Sequence, residues 1–247
     1  MSLPKSVYRE LPRRLPKSLG FSRYYLDFDG AEDFVRVSDD PSLDVSNITL
    51  MAWTRLDAVE PDEHIMIVKN YDGTNSPFQL EQNGDIYQFG FYDGTWEKAE
   101  GGTPEGDVWK HLAGTYDGSD VRLYINGDLI DTYSYSATLP TNDFPLGIGA
   151  RTDWGSLGTT QNFIDGAIDE ILLYDGVLSK SEITHNMLNY HNPIKTNLVA
   201  WWRFEEGTGL TAHDKSGNGN DGTLKPSDDP PTWIEQKKWE MRAEVGL

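Results

Sequence analysis

Residues 109–133 restrict the fold more than any other part of this sequence. The run 109–116 ends in Asp117-Gly118, the run 121–125 follows, and Asn126-Gly127 leads into 128–133. Asn-Gly between two such runs specifies a tight hairpin, because a type I′ turn needs positive φ at both central residues. The segment is therefore expected to be a three-stranded antiparallel meander. The same grammar of short apolar or alternating runs, separated by turn residues, extends on both sides. It predicts further strands at Tyr24–Asp29, Phe34–Val37, Ile48–Leu56, 65–69, 78–81, Ile86–Tyr92, 145–150 and 163–174. Only 179–189 reads as helix: Ser179 is a ready N-cap, Glu182 completes a capping box, and Ile183, Met187 and Leu188 are expected to face a sheet. Many short strands, one short helix and 24 glycines indicate an all-β, two-sheet antiparallel sandwich.

The 247 residues suffice for one such sandwich with a core that needs no covalent staples. The absence of cysteine excludes disulfides and thiolate metal sites. A formal net charge of −19 argues against nucleic acid or an anionic membrane as partner. No apolar run approaches the roughly 18–20 residues of a membrane span, and the start Met1-Ser2-Leu3-Pro4-Lys5 shows no secretory h-region. Charge is unevenly placed. Residues 1–23 carry Lys5, Arg9, Arg13, Arg14, Lys17 and Arg23 against Glu10 alone, with repeated Leu-Pro steps that favour extended chain. This is read as a basic, Pro-rich arm on an acidic body, a pairing suited to self-association.

From Tyr24 onward the order of motifs resembles the laminin-G-like jelly roll of the concanavalin A-like lectin/glucanase superfamily. Tyr25-Leu26-Asp27-Phe28-Asp29-Gly30 is similar to its opening motif and Ile48-Thr49-Leu50-Met51-Ala52-Trp53 to a core strand. Trp109-Lys110-His111-Leu112-Ala113-Gly114-Thr115-Tyr116-Asp117-Gly118 with Leu123-Tyr124-Ile125-Asn126-Gly127, then Asp165-Gly166-Ala167-Ile168-Asp169-Glu170-Ile171, resemble its further signatures. The resemblance implies a jelly-roll fold and leaves function open, because such sandwiches host many functions.

One departure stands out. Family domains commonly begin with a strand like Leu198-Val199-Ala200-Trp201-Trp202-Arg203-Phe204, followed by a turn like 214–222, whereas here that unit comes after the helix. Residues 197–247 are too few for a second sandwich, and burying Trp201, Trp202 and Phe204 is worth at most on the order of 10–15 kcal/mol. The chain is accordingly divided into the arm 1–23, a body 24–196 and a displaced segment 197–247. Either the domain is circularly permuted and the strand fills its own sheet, or the strand is donated to a neighbouring subunit. The tail containing Trp239 and Met241 would pack on the same body or on that neighbour.

The search for chemistry returns little of catalytic type. The five histidines lack the spacing of a zinc site, and His111 falls on a core strand. No nucleophile elbow or phosphate loop is present. Asp165, Asp169 and Glu170 are the nearest approach to a glycosidase carboxylate array, but alternation would put Asp169 and Glu170 on opposite faces. Calcium fits the family resemblance better, with Asp169, Glu205 and Asp214 as candidate ligands. Carbohydrate contact is expected from exposed aromatics beside polar loop residues: Tyr92, Trp96 and Trp154, within or near 71–75, 92–96 and 152–154.

Two functional readings of different class follow. One is a non-enzymatic assembly subunit, of a virion or surface appendage, forming a homo-oligomer through its arms. The other is a carbohydrate-binding recognition or adhesion module, with calcium as a structural ion. A glycoside-active enzyme is a minor third. The family analogy places the protein outside the cell or on a virion surface, while the lack of a visible signal sequence would otherwise leave it cytoplasmic.

Overall fold

The computed structural model describes residues 23–59, 61–152 and 160–236. Sixteen strands are formed among them: β1 Tyr24–Asp29, β2 Phe34–Val37, β3 Ile48–Leu56, β4 Glu63–Lys69, β5 Ser76–Asn83, β6 Ile86–Tyr92, β7 Trp96–Gly101, β8 Lys110–Tyr116, β9 Asp120–Ile125, β10 Asp128–Ser134, β11 Leu146–Ile148, β12 Asp165–Asp175, then β13 Leu198–Trp202, β14 Thr211–Ala212, β15 Gly222–Lys225 and β16 Thr232–Glu235. They build two antiparallel eight-stranded sheets. The first runs β10-β9-β8-β3-β12-β1-β16, with β13 also on β12, and the second runs β14-β15-β2-β11-β4-β5-β6-β7. This is the two-sheet sandwich that the strand pattern and the resemblance predict. No helix among the described residues is long and apolar enough to cross a membrane.

The meander forms as its turns dictate. Asn126 and Gly127 take φ of 51° and 81°, and the Asn126 side chain accepts from the His111 backbone N–H at 2.9 Å, so β8, β9 and β10 follow in hairpin order. Between the sheets the inward-facing residues of alternate positions pack into one core: Leu26 and Phe28 from β1, Leu50 and Ala52 from β3, Phe78 and Leu80 from β5, Phe89 and Phe91 from β6, and Leu173 from β12.

The residues after the helix enter both sheets of the same chain. The edge of β12 opposite β3 is shared: β1 pairs with Asp165 to Ile168, and β13 pairs with Ile171 to Tyr174. β15 pairs with β2 in the second sheet, and β16 borders β1 in the first. Trp202, Phe204, Ala212 and Leu224 lie in the main core. The arm (up to residue 22), Trp154, and the tail with Trp239 and Met241 lie outside the described residues.

The helix α1, Lys180–Leu188, has the predicted capping box between Ser179 and Glu182. Its sheet-facing residues differ in part from the expectation. Ile183 is buried, but Asn186 rather than Met187 or Leu188 is the second buried position. Asn186 Nδ2 donates to the Tyr174 hydroxyl at 2.9 Å and its Oδ1 accepts from the Ile194 N–H at 3.0 Å, so a polar residue is satisfied at a place where periodicity suggests an apolar one.

Strand β7 was not legible. Trp-Glu-Lys-Ala-Glu-Gly has low strand propensity, yet it forms an edge strand whose Ala99 points into the core and whose Trp96, Lys98 and Glu100 point outward.

Candidate functional site

The outward face of the second sheet, over β4 to β7, carries a polar and aromatic surface that the core-facing residues cannot supply. On β5, Gln79, Glu81 and Asn83 alternate with the core residues Phe78 and Leu80. On β6, Gln88 and Gly90 alternate with Tyr87, Phe89 and Phe91, and on β7 Trp96, Lys98 and Glu100 share that face. Gly90 lies between Gln79 and Lys98 in register, and a Cβ there would come within 2.1 Å of the Glu97 carbonyl oxygen. Only glycine fits, and the floor beside Trp96 stays free of a side chain.

At one end of this face Tyr71, Tyr92, Trp96 and Arg151 line a cavity of about 230 Å³. The three rings form a continuous edge-to-face set, with centroids 5.5 Å apart for Tyr71–Tyr92 and 5.3 Å for Tyr92–Trp96. Each ring is positioned by its loop. Tyr92 and Trp96 flank the Asp93-Gly94-Thr95 turn between β6 and β7, with Gly94 at φ 120°. Tyr71 opens a loop in which Asp72 accepts from the Thr74 and Asn75 N–H groups at 2.7 and 2.8 Å, and the Tyr71 hydroxyl donates to the Gly73 carbonyl at 2.7 Å. Trp96 remains 41% exposed, a large ring held open to solvent on a built surface.

Beneath the rings lies a buried hydrogen-bonded network. Arg151 donates to Glu63 through both Nη atoms and to Gln79 Oε1 at 2.7 Å. Gln79 Nε2 donates to Glu63 Oε1 at 2.9 Å and to Glu81 Oε2. Burial, followed by the hydrogen bond and charge of Glu63, raises the Glu81 carboxyl well above the usual range. Burial alone would raise Glu63 too, but its hydrogen bonds from Glu81, Arg151 and Gln79 outweigh that and hold it below the usual range. Beside the Arg151 guanidinium the two carboxyl groups are thus pushed apart, Glu63 towards its charged form and Glu81 towards its neutral form. Asn70 fixes the neighbouring backbone: its Nδ2 donates to Thr152 Oγ1 at 2.8 Å and its Oδ1 accepts from the Thr152 N–H at 2.9 Å.

Two of the aromatic residues singled out in the sequence, Tyr92 and Trp96, thus sit together, and Tyr71 from the same class of segment joins them. Arg151, Glu63, Gln79 and Glu81 were not found by sequence reasoning. Glu63 and Arg151 are 88 positions apart, and only strand pairing brings them together.

The carboxylates considered for a metal have other surroundings. Asp169 is buried and its Oδ1 accepts from the Glu170 N–H at 2.9 Å. Glu205 accepts from the Arg23 N–H at 2.8 Å and from Arg203. Asp214 accepts from the Trp201, Ser216 and Asn220 N–H groups and from the Ser216 hydroxyl, donors that compete with a cation for the same lone pairs. Among the described residues no three His, Asp or Glu side chains gather as a metal-binding group.

Asp169 and Glu170 also depart from the alternation assumed for them. A bulge interrupts β12 between Asp169 and Leu172, and Glu170 has φ 46°. Both residues lie between the core positions Ile168 and Ile171, and Glu170 accepts from Trp201 Nε1 at 3.0 Å on the outer face. His111 is fully buried, and burial drops its imidazole to about 3, which leaves it neutral.

The laminin G family model of the concanavalin A-like lectin/glucanases superfamily matches residues 29–184, more than half of the chain. The chain belongs to this family. Among solved structures, this laminin G chain is similar to a candidate carbohydrate binding protein from Bacteroides ovatus ATCC 8483, with a TM-score of 0.68 and 15% identity over 87% of this chain and 60% of that one. It therefore spans less than two thirds of the Bacteroides protein. A heptameric SAP-like pentraxin from Limulus polyphemus is similar at a TM-score of 0.53 and 11% identity, over 67% of this chain and 82% of that one. At such identities the likeness shows the fold. No curated protein matches the chain significantly in sequence.

Proposed function

We propose that this laminin G domain is a non-catalytic carbohydrate-binding module whose binding surface is the outward face of β4 to β7. The observation that carries this reading is the exposed Trp96, in ring contact with Tyr92 and Tyr71, above a network of amide, guanidinium and carboxyl groups. A sugar ring offers an apolar face to stack on an aromatic side chain and a rim of hydroxyls to exchange hydrogen bonds with such groups. The Bacteroides relative, whose description is carbohydrate binding, supports the same reading. A module of this kind acts where glycans are exposed, at a surface or outside the cell.

Binding is favoured over glycoside cleavage by the carboxyl geometry. Cleaving pairs stand about 5–9.5 Å apart with the bond between them, whereas Glu63 and Glu81 both accept from the one Gln79 Nε2 and are taken up in the buried network. The assembly reading rests on the arm and the tail, both outside the described residues.

Calorimetric titration with gluco-, xylo-, manno- and arabino-oligosaccharides tests the proposal. At least one series is expected to bind, and Trp96→Ala is expected to weaken it about tenfold, roughly 1.4 kcal/mol, without changing the melting temperature. Failure of all four series to bind the intact chain would overturn the reading.

A further inference from the structure

A second concavity, of about 620 Å³, opens where β4 begins and β5 ends. Asp62, Glu63, His64, Asn83, Asn162 and Phe163 are among the residues that line it, and Glu63 pairs with Asn83 in register, so the two strand ends lie side by side. It shares no lining residue with the aromatic cavity. The β5 residues between the two, Ser76, Gln79 and Glu81, are buried, so no open path joins them along that strand.

Its hydrogen-bonding capacity is one-sided. His64 Nδ1 donates to the Phe163 carbonyl at 2.7 Å, which leaves Nε2 of the neutral ring a lone pair, buried and without a donor. Asn162 spends its Nδ2 on the Glu63 carbonyl and carboxylate at 3.3 and 3.2 Å, and its Oδ1 is likewise buried without a partner. Both atoms lie inside the wall, where no donor offsets their negative potential. At the surface, Asp62 is exposed, and its carboxylate has no hydrogen bond or ion pair among the described residues. The Glu63 carboxylate is already paired with Arg151. Of the six side chains, only the exposed Asn83 amide keeps an unengaged donor. No lysine or arginine among the described residues lines the concavity.

We infer that this concavity is a second binding site, for a ligand that carries protonated amines. A ligand of hydroxyls alone needs donors and acceptors in comparable number, whereas a primary ammonium brings three donors and a charge opposite to that of Asp62. The space is far larger than a bare metal ion, and among the described residues no three His, Asp or Glu side chains gather to hold one. A chain of net charge −19 also draws cations in from a distance. The site is independent of the carbohydrate-binding surface.

Calorimetric titration of the intact chain at low salt, with spermidine and with the glucosamine trimer, tests the site and separates two sources of amine. At least one of them is expected to bind, and the tighter of the two tells whether the amine arrives free or on a sugar. Asp62→Asn should raise that Kd about tenfold, the equivalent of one charge-assisted hydrogen bond, at an unchanged melting temperature. Asn83→Ala should raise it about threefold. Asp143→Asn is the control for attraction by net charge alone. Asp143 is exposed beyond the other end of β4, where Asn142 Nδ2 donates to the Asn70 carbonyl at 2.8 Å, and its replacement should leave Kd unchanged. An equal rise with Asp143→Asn would mean that the amines gather in the field of the whole chain, and would overturn the site. Failure of both amines to bind would do the same. So would an N-acetylglucosamine trimer, which lacks the charge, if it lost as much affinity on Asp62→Asn as the glucosamine trimer.

Discussion

Three buried titratable residues couple this protein's stability to pH, and they do so with opposite signs. Burial, partly offset by Arg203 and Trp201, raises the Glu170 carboxyl from its ordinary 4.5 to about 8. Glu81 is raised for the same first reason. In the range between the unfolded and folded values the native state holds the extra proton, so this stabilisation is complete below about 4.5 and is lost as pH rises through the folded value. His111 works the other way. Its drop from 6.5 to about 3 means the unfolded chain binds more protons in that interval, and stability is lost as pH falls through it. Urea unfolding from pH 3 to 9 is expected to show a maximum at mildly acidic pH. Glu170→Gln should flatten the decline towards pH 8 by a few kcal/mol, and His111→Gln should flatten the acid side. An unchanged alkaline limb in Glu170→Gln would show that this residue is ionised in the folded protein.

At the scale of elements, the turn after β13 is held by a single carboxylate. Asp214 takes the backbone N–H groups of Trp201, Ser216 and Asn220 together with the Ser216 hydroxyl, and so fixes both the start of the turn and the edge of β13. Asp214→Ala leaves several donors without an acceptor, and a loss of about 2–3 kcal/mol is expected from chemical denaturation. Added calcium should leave the melting temperature of the intact chain unchanged, since those donors already occupy the lone pairs of Asp214. Elements of this kind set the limits of sequence reading. Strands with apolar alternation or a strong turn, such as β1, β3, β6 and the meander, were legible to within a residue or so, because their cause is local. The missed elements, β7 and the short β14 to β16, owe their existence to partners: Trp96–Gly101 has strand character only because β6 offers an edge, and Gly222–Lys225 because β2 does. The same division runs through the binding surface. Tyr92 and Trp96 stood beside a visible turn, whereas Arg151 and Gln79 became neighbours only through the order of strands in the second sheet.

For the whole molecule, the decisive feature is that the segment after the helix completes the sandwich instead of hanging from it. It covers the half of the β12 edge that β1 leaves open, extends the second sheet past β2, and brings Trp202, Phe204 and Leu224 into the core while Trp201 packs under the helix side of the first sheet. A chain cut after residue 196 would expose that core and two sheet edges together, so it is expected to be insoluble or unfolded when expressed alone. Adding residues 197–236 as a separate chain should restore the native near-ultraviolet spectrum, because the missing strands are recognised by register and shape. Trp202→Ala in the intact protein should cost about 3–5 kcal/mol, the usual loss for a large aromatic side chain with no solvent exposure. In the intact chain the pairing of β13 with β12 is intramolecular, so diluting the protein over several orders of magnitude should leave the tryptophan environment and the unfolding midpoint unchanged. A midpoint that falls with dilution would mean that the strand comes from a second copy. The core would then be shared between subunits, and the order of strands derived for one chain would describe a dimer.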